Sequence, residues 1–468
     1  MIGYSAIPYR NNIPKGILKM RAFSKIQISG IGSASLGFEE HEVAQAMDSD
    51  ELAVAMTENE PAVSEISQDI ADATVLEEKA VALEDLAEVA DGIDAATATE
   101  VQLIDIAADT TLAGTADELE VFEVTPGQPV ALESFTGRRV STEGMKQMAK
   151  DIWDAIKALV ARAWERLLKF WRRITDQVPG IVKRARAMAT RADATRGKTL
   201  KDDGKTIKLG ADGRKFIVDN KAPKAVADVT SALTTLAAVS STTLTGLAPR
   251  IKKACESVSD KLKEFDIDDA VASLTKLNSE AARVLAAATY PSAIAVSGDK
   301  RFSSDLKVVR SPHLPGNVAI FAQSLDMKDG SALGQSQLIR SCGFTMTASS
   351  EKEVDISDIT IATLTPTDVS GLVDHIEKIC ANVKEFNTKH LRDLEKAADK
   401  AKSAASSIAN QIKDDTKPDA VKHFNSACQY NVAVAKWSSS PFTSLTALSL
   451  AVCNAAIGIG NKSLSQYK

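Results

Sequence analysis

The chain has 468 residues, a net charge of −6 and 44% hydrophobic but only 5% aromatic residues, so it is long enough for two or three domains built on Ala, Val, Leu and Ile. Five widely spaced cysteines, Cys255, Cys342, Cys380, Cys428 and Cys453, show no C-x-x-C pair and no nearby His framework, which argues against a disulfide scaffold or a metal site and makes a reduced, intracellular place of folding the default. No apolar run reaches the roughly eighteen residues of a transmembrane helix, and the basic N-terminus lacks the unbroken apolar core of a secretory signal.

The small net charge hides two opposed parts. Residues 1–38 are a basic lead-in. From Glu39 to Glu133 there are twenty-six acidic residues against one base, Lys79, a net −25, and no aromatic residue lies between Phe38 and Phe122. Apolar positions such as Leu76, Leu83 and Leu86 align on a helical face, but such helices repel one another and bury little. Region 39–133 is therefore expected to be largely disordered or weakly helical, with Pro126 and Pro129 closing it. The next stretch, 134–225, swings to +13 and holds three of the four tryptophans. An acidic, core-poor leader joined to a basic segment suggests a detachable or self-masking pro-region.

Region 134–220 opens with the strongest periodicity in the chain. Met145, Met148, Ile152, Ile156, Leu159, Ala163, Leu167, Trp171 and Ile174 recur at steps of three and four, predicting one amphipathic helix over 144–174 that ends before Pro179. A second basic helix is predicted over 183–196, followed by a β-hairpin whose strands, 206–209 and 215–218, flank Asp212-Gly213. Region 221–290 reads as helical. Region 291–364 changes to the period of strands, at 293–296, 306–310, 317–325 and 337–347, punctuated by Gly and Pro. In region 365–468, Leu372, Ile376, Ile379, Val383, Phe386, His390, Leu394, Ala397, Ala401, Ala405, Ile408 and Ile412 form a near-heptad seam, with two further helices packing back on it. The fold class is mainly α with a small antiparallel β insertion (α+β), a helical bundle with long C-terminal helices preceded by a weakly structured acidic leader.

Enzyme chemistry finds no residues to rest on. The five histidines are scattered, no hydrolase, zincin, P-loop or Rossmann signature is present, and no catalytic, metal or cofactor residue is assigned. In Gly458-Ile459-Gly460-Asn461-Lys462-Ser463, the nearest approach to a phosphate loop, Asn461 separates the glycine from the lysine, and too little chain follows for the helix such a loop must open. The candidate face lies on the basic helices. Lys146, Lys150, Lys157, Arg162, Arg166, Lys169, Arg172 and Arg173, continued by Lys183, Arg184 and Arg186, admit a plain solvated face or a nucleic-acid face that neutralises phosphates without reading sequence. Trp153, Trp164 and Trp171 beside these bases also fit a helix lying on a membrane surface.

A resemblance enters at the junction of the acidic and basic parts. Ala131-Leu132-Glu133, then Ser134-Phe135-Thr136-Gly137-Arg138-Arg139-Val140 and Ser141-Thr142-Glu143-Gly144, resemble the processing boundary of internal head proteins of large tailed bacteriophages. The resemblance implies a head-maturation protease that cuts after Glu with a small residue two positions earlier, at Glu133 or Glu143, and removes an acidic propeptide. Ala82-Leu83-Glu84, Ala98-Thr99-Glu100 and Ala116-Asp117-Glu118 repeat the pattern inside the leader, while Ala163-Trp164-Glu165 and Ser349-Ser350-Glu351 match it outside that setting. A cut after Glu133 leaves a body at +14, and one after Glu143 leaves +13, both suited to packing with DNA. The implied protein is a virion component, made in the host cytoplasm and carried inside the head. Its implied partners are the protease, other capsid or inner-head proteins, and genomic DNA bound by non-specific electrostatics. The rival readings are a membrane-active protein ejected with the genome, whose partner is a membrane surface, and a non-viral helical scaffold.

Overall fold

The apolar stripe of the first basic helix does not stop where proline was expected to end it. A computed structural model describes residues 142–288, 293–325, 330–349, 359–409 and 417–468, together with Ala62 and Glu65. Its first helix, α1 (Thr142–Thr195), runs unbroken for 54 residues through Pro179 and absorbs both predicted helices. Proline removes one backbone hydrogen bond and costs about 3 kcal/mol in a helix interior. Against that local cost, Leu167, Phe170, Trp171, Ile174, Val178, Ile181, Ala185, Met188 and Ala192 stay in phase across Pro179, and all are buried. Burying only Ile181 and Met188 offsets it, at roughly 1.5–3 kcal/mol each.

Two long helical rods follow the same logic. The first joins α3 (Val226–Ser240), a π-helical stretch (Ser241–Leu247) and α4 (Ala248–Lys263). The second joins α7 (Pro366–Glu385), a π stretch (Phe386–His390) and α8 (Leu391–Ala409). Thr365 and Asp368 close α7 with a capping box, each side chain accepting from the other's backbone N–H at 3.1 and 2.9 Å. The two π stretches touch, and beside them Asn382 donates to the Ala237 carbonyl at 3.1 Å and to Ser240 Oγ at 3.0 Å. The seam is used within the chain, α7 against α1, α3 and α11 (Phe442–Leu464), and α8 against α4 and α10 (Tyr430–Ser439). Its phase slips once. The wide turns at 386–390 carry the buried row from Phe386 to Leu394, leaving His390 half-buried.

Helices α5 (Ala270–Ala287), α6 (Ala332–Ser341) and α9 (Pro418–Cys428) complete this side of the bundle. Asn278 on α5 ties it to α6 and α10 by donating to the Ala332 carbonyl at 2.7 Å and accepting from Tyr430 Oη at 2.8 Å. Asp419–Leu464 includes a window with mean hydropathy 1.7, long and apolar enough by composition to cross a membrane, although no apolar run in the sequence suggests a span. Here 72% of that window is buried inside the protein, and Gln429 and the cis Ser440–Pro441 bond divide the segment into three helices.

The predicted β-hairpin is not formed. Strand β1 (Thr206–Lys208) pairs antiparallel with the distant β6 (Thr360–Ala362), Ile207 opposite Ile361, while Ala211–Arg214 is a short helical turn, α2. Both Ile207 and Leu209 gain burial from this long-range pairing, whereas an isolated two-stranded hairpin is marginal in water. Gly213 is required by close approach. A Cβ there would lie 2.9 Å from Leu209 Cβ and 3.1 Å from Ile359 Cδ1.

The second sheet is the predicted insertion, an antiparallel meander in the order β2 (Ile294–Val296), β3 (Lys307–Arg310), β4 (Val318–Ser324) and β5 (Gly343–Ala348). Its last strand starts later than expected because the preceding residues belong to α6. Ala332, Ser336 and Ile339 are buried at helical spacing, and Ser331 caps the helix by accepting from Gly334 N. One face of the sheet joins the main core. On the other, Val308, Ala319 and Phe321 make a small separate core, with Arg301 5.1 Å from the Phe321 ring centre and held by Asp299 at 2.6 Å.

Candidate nucleic-acid interface

Helix α1 has one face in the core and one in water, and the exposed face carries most of the described candidate bases. Lys169, Arg172, Arg173 and Lys183 are exposed, with Asp176 among them. At 100° per residue these positions share a stripe, and from Lys169 to Lys183 it extends about 21 Å at 1.5 Å per residue. Arg162 and Arg166 are half-buried at its N-terminal side.

Three bases further along α1 meet other helices. Arg186 Nε lies 2.6 Å from Glu377 Oε1 on α7, and Arg191 donates to Asn461 Oδ1 on α11 at 3.0 Å. Arg184 is half-buried, donates to Asn454 on α11, and burial lowers its pKa. These three therefore anchor α1 to its neighbours as well as carrying charge. Arg166 faces the leader, its Nε 3.6 Å from Glu65 Oε2.

The tryptophans divide. Trp171 is 1% exposed, packed edge-on to Phe170 at 5.4 Å and against Phe386 at 4.7 Å, and Phe386 in turn stacks on Phe442 at 5.0 Å. It is a core residue joining α1 to the π stretch and α11, not part of an exposed membrane-binding face. Trp164 is half-buried against the same core. Lys146, Lys150, Lys157 and Trp153 lie on the helical backbone of α1, with side chains outside the described set; Glu143 is in its first turn, and Glu133 lies outside the described residues.

The loop that follows α1 carries bases that the candidate face omitted. After α1, Lys198, Lys201, Lys205 and Lys208 are exposed. The C-terminal residues are bound to this loop, with Lys201 N donating to the Gln466 carbonyl and Lys468 N to the Thr199 carbonyl, both at 2.9 Å. Lys462 reaches Asp212 at 2.9 Å. The excess of bases over 134–225 already includes this loop, but nothing local in the sequence links it to residues 466–468.

No alternative chemistry assembles among the described residues. No group of three metal-binding side chains is present there, and the five cysteines are free thiols. The histidines are separate, His423 bonding the Asp419 carbonyl through Nδ1 at 2.7 Å and His313 lying 3.4 Å from Asp219. Gly458 to Ser463 lies within α11 and is not a phosphate loop. A Cβ at Gly458 would meet Asp212 Oδ2 at 3.0 Å, and one at Gly460 would collide with Met188 of α1, so these glycines permit close helix packing.

No curated protein and no solved structure matches the chain. A family model does, over residues 61–462, which takes in most of the acidic leader, the long basic helix and nearly all of the folded body. The chain belongs to the phiKZ-like phage internal head proteins, structural components of the virion located inside the head.

Proposed function

We propose that this internal head protein is made as a precursor and trimmed by the head-maturation protease, which removes the acidic leader and leaves a basic body on the packaged DNA. The charge partition carries the proposal, −25 over 39–133 against +14 over 134–468. Before trimming, the leader weakens premature attraction between body and nucleic acid and offers complementary charge to other inner-head proteins. After trimming, Lys169, Arg172, Arg173 and Lys183, with Lys198, Lys201, Lys205 and Lys208, neutralise phosphates without sequence preference.

Two features support this division. The described buried residues of the main core run from Leu167 to Leu464, all within the proposed body, and Ala62 packs against them from the leader. Glu143 sits in the first turn of α1, where a protease must unwind helix to reach the bond, which favours Glu133 as the earlier cut. Particles assembled with an inactive head-maturation protease test the proposal. They should hold the full-length chain where normal particles hold a body lacking about 130 residues; the same length in both would refute trimming.

A further inference from the structure

Two residues of the acidic leader are described, and both lie against the body. Ala62 and Glu65 are both helical and three positions apart. Ala62 is half-buried against the main core. Glu65 meets Arg166 twice, its Oε2 lying 3.6 Å from Nε and its carbonyl oxygen accepting from Nη1 at 3.4 Å. A guanidinium engaged by both the side chain and the main chain of one residue fixes that residue's position as well as balancing its charge. The family match begins at residue 61, immediately before Ala62.

We infer that the leader docks at a defined place on the body, with Ala62 set against the main core and Glu65 held by Arg166 of α1 as its charged latch. The docking is a property of the uncut chain; only its consequence for release rests on the proposed trimming. A cut after Glu133 or Glu143 breaks the covalent link but leaves this contact in place, and the severed leader is held until the contact opens. The motifs ending at Glu84, Glu100 and Glu118 lie between Glu65 and the boundary. Each cut there strips acidic residues from the piece still held and removes part of its attraction to the body. Release is then graded by the number of cuts.

Hydrogen exchange read by mass spectrometry on the uncut chain tests the docking. Glu65→Arg should speed exchange in peptides covering 161–170 by about two- to fivefold, the range expected for a partly exposed ion pair. Peptides from α11 should not change. Arg166→Glu should act likewise, and the double variant Glu65→Arg/Arg166→Glu should restore part of the slow exchange by reversing the ion pair, the bond to the main-chain carbonyl at 65 staying lost. No change in either single variant, or no restoration in the double, would overturn the inference. The outcome is independent of trimming, because a docked leader that is never removed still passes this test, and a leader that is trimmed but never docked fails it.

Discussion

Replacing Trp171 by Ala should be among the most damaging single changes in the body. The ring is 1% exposed, 5.4 Å from Phe170 and 4.7 Å from Phe386, and Phe386 carries the contact on to Phe442 of α11. Truncating a buried Trp to Ala costs about 3–5 kcal/mol from lost burial and the cavity left behind. Aromatic pairing adds about 0.5–1.5 kcal/mol beyond burial, which puts the expectation near the upper end of that range. Trp171→Phe keeps a ring in the stack and should cost only about 1.5 kcal/mol. Urea unfolding followed by far-ultraviolet circular dichroism measures both variants against the parent chain. A loss below about 1 kcal/mol for Trp171→Ala, joined to weaker binding to anionic vesicles, would refute the placement of this ring in the core and favour a membrane-surface helix.

Gly343 has φ 133°, and a Cβ there would lie 2.8 Å from Cδ1 of the buried Trp437 ring; Gly343→Ala should therefore lower stability by about 2–3 kcal/mol, measured by the same urea titration. Asn278→Leu removes the acceptor of the Tyr430 hydroxyl, which keeps Ser336, and the donor to the Ala332 carbonyl, and should cost about 1–3 kcal/mol, whereas an Asn278→Leu/Tyr430→Phe pair should recover part of the loss in a double-mutant cycle. The Arg283 hydrogen bond, with a smaller one from Ser257, outweighs burial and holds the Glu280 carboxyl down at about 2. Its contribution is complete above the unfolded value near 4.3 and is lost as pH falls towards 2; because Arg283 is open to solvent, Glu280→Gln should flatten the acid limb of stability by only about 1 kcal/mol. Changing Lys169, Arg172, Arg173 and Lys183 together to Ala in the trimmed body should make the slope of log affinity for duplex DNA against log salt shallower by about three to four, read by fluorescence anisotropy; an unchanged slope would remove this stripe from the interface.

Features carried by local periodicity were legible in the sequence. The stripe of α1, the seam from Leu372 to Ala401 and the antiparallel insertion follow from burial at steps of three, four or two. Pro179 misled because its penalty is local, while the gain that overrides it accumulates over Ile181, Ala185, Met188 and Ala192. Asp212-Gly213 misled because a turn dipeptide says nothing about where strand partners lie, and β1 found its partner in β6. At the candidate interface the opposed charges were legible, but the partners that bases of α1 find on other helices were not. Glu377, Asn454 and Asn461 reach Arg186, Arg184 and Arg191 only through the packing of α7 and α11 on α1.

The most direct test of the account is the N-terminal residue of this protein in mature phage heads, determined by mass spectrometry. A start at Ser134 or Gly144 is the predicted result and would identify the acidic leader as a propeptide. A chain in mature heads that still begins at Met1 would contradict the account.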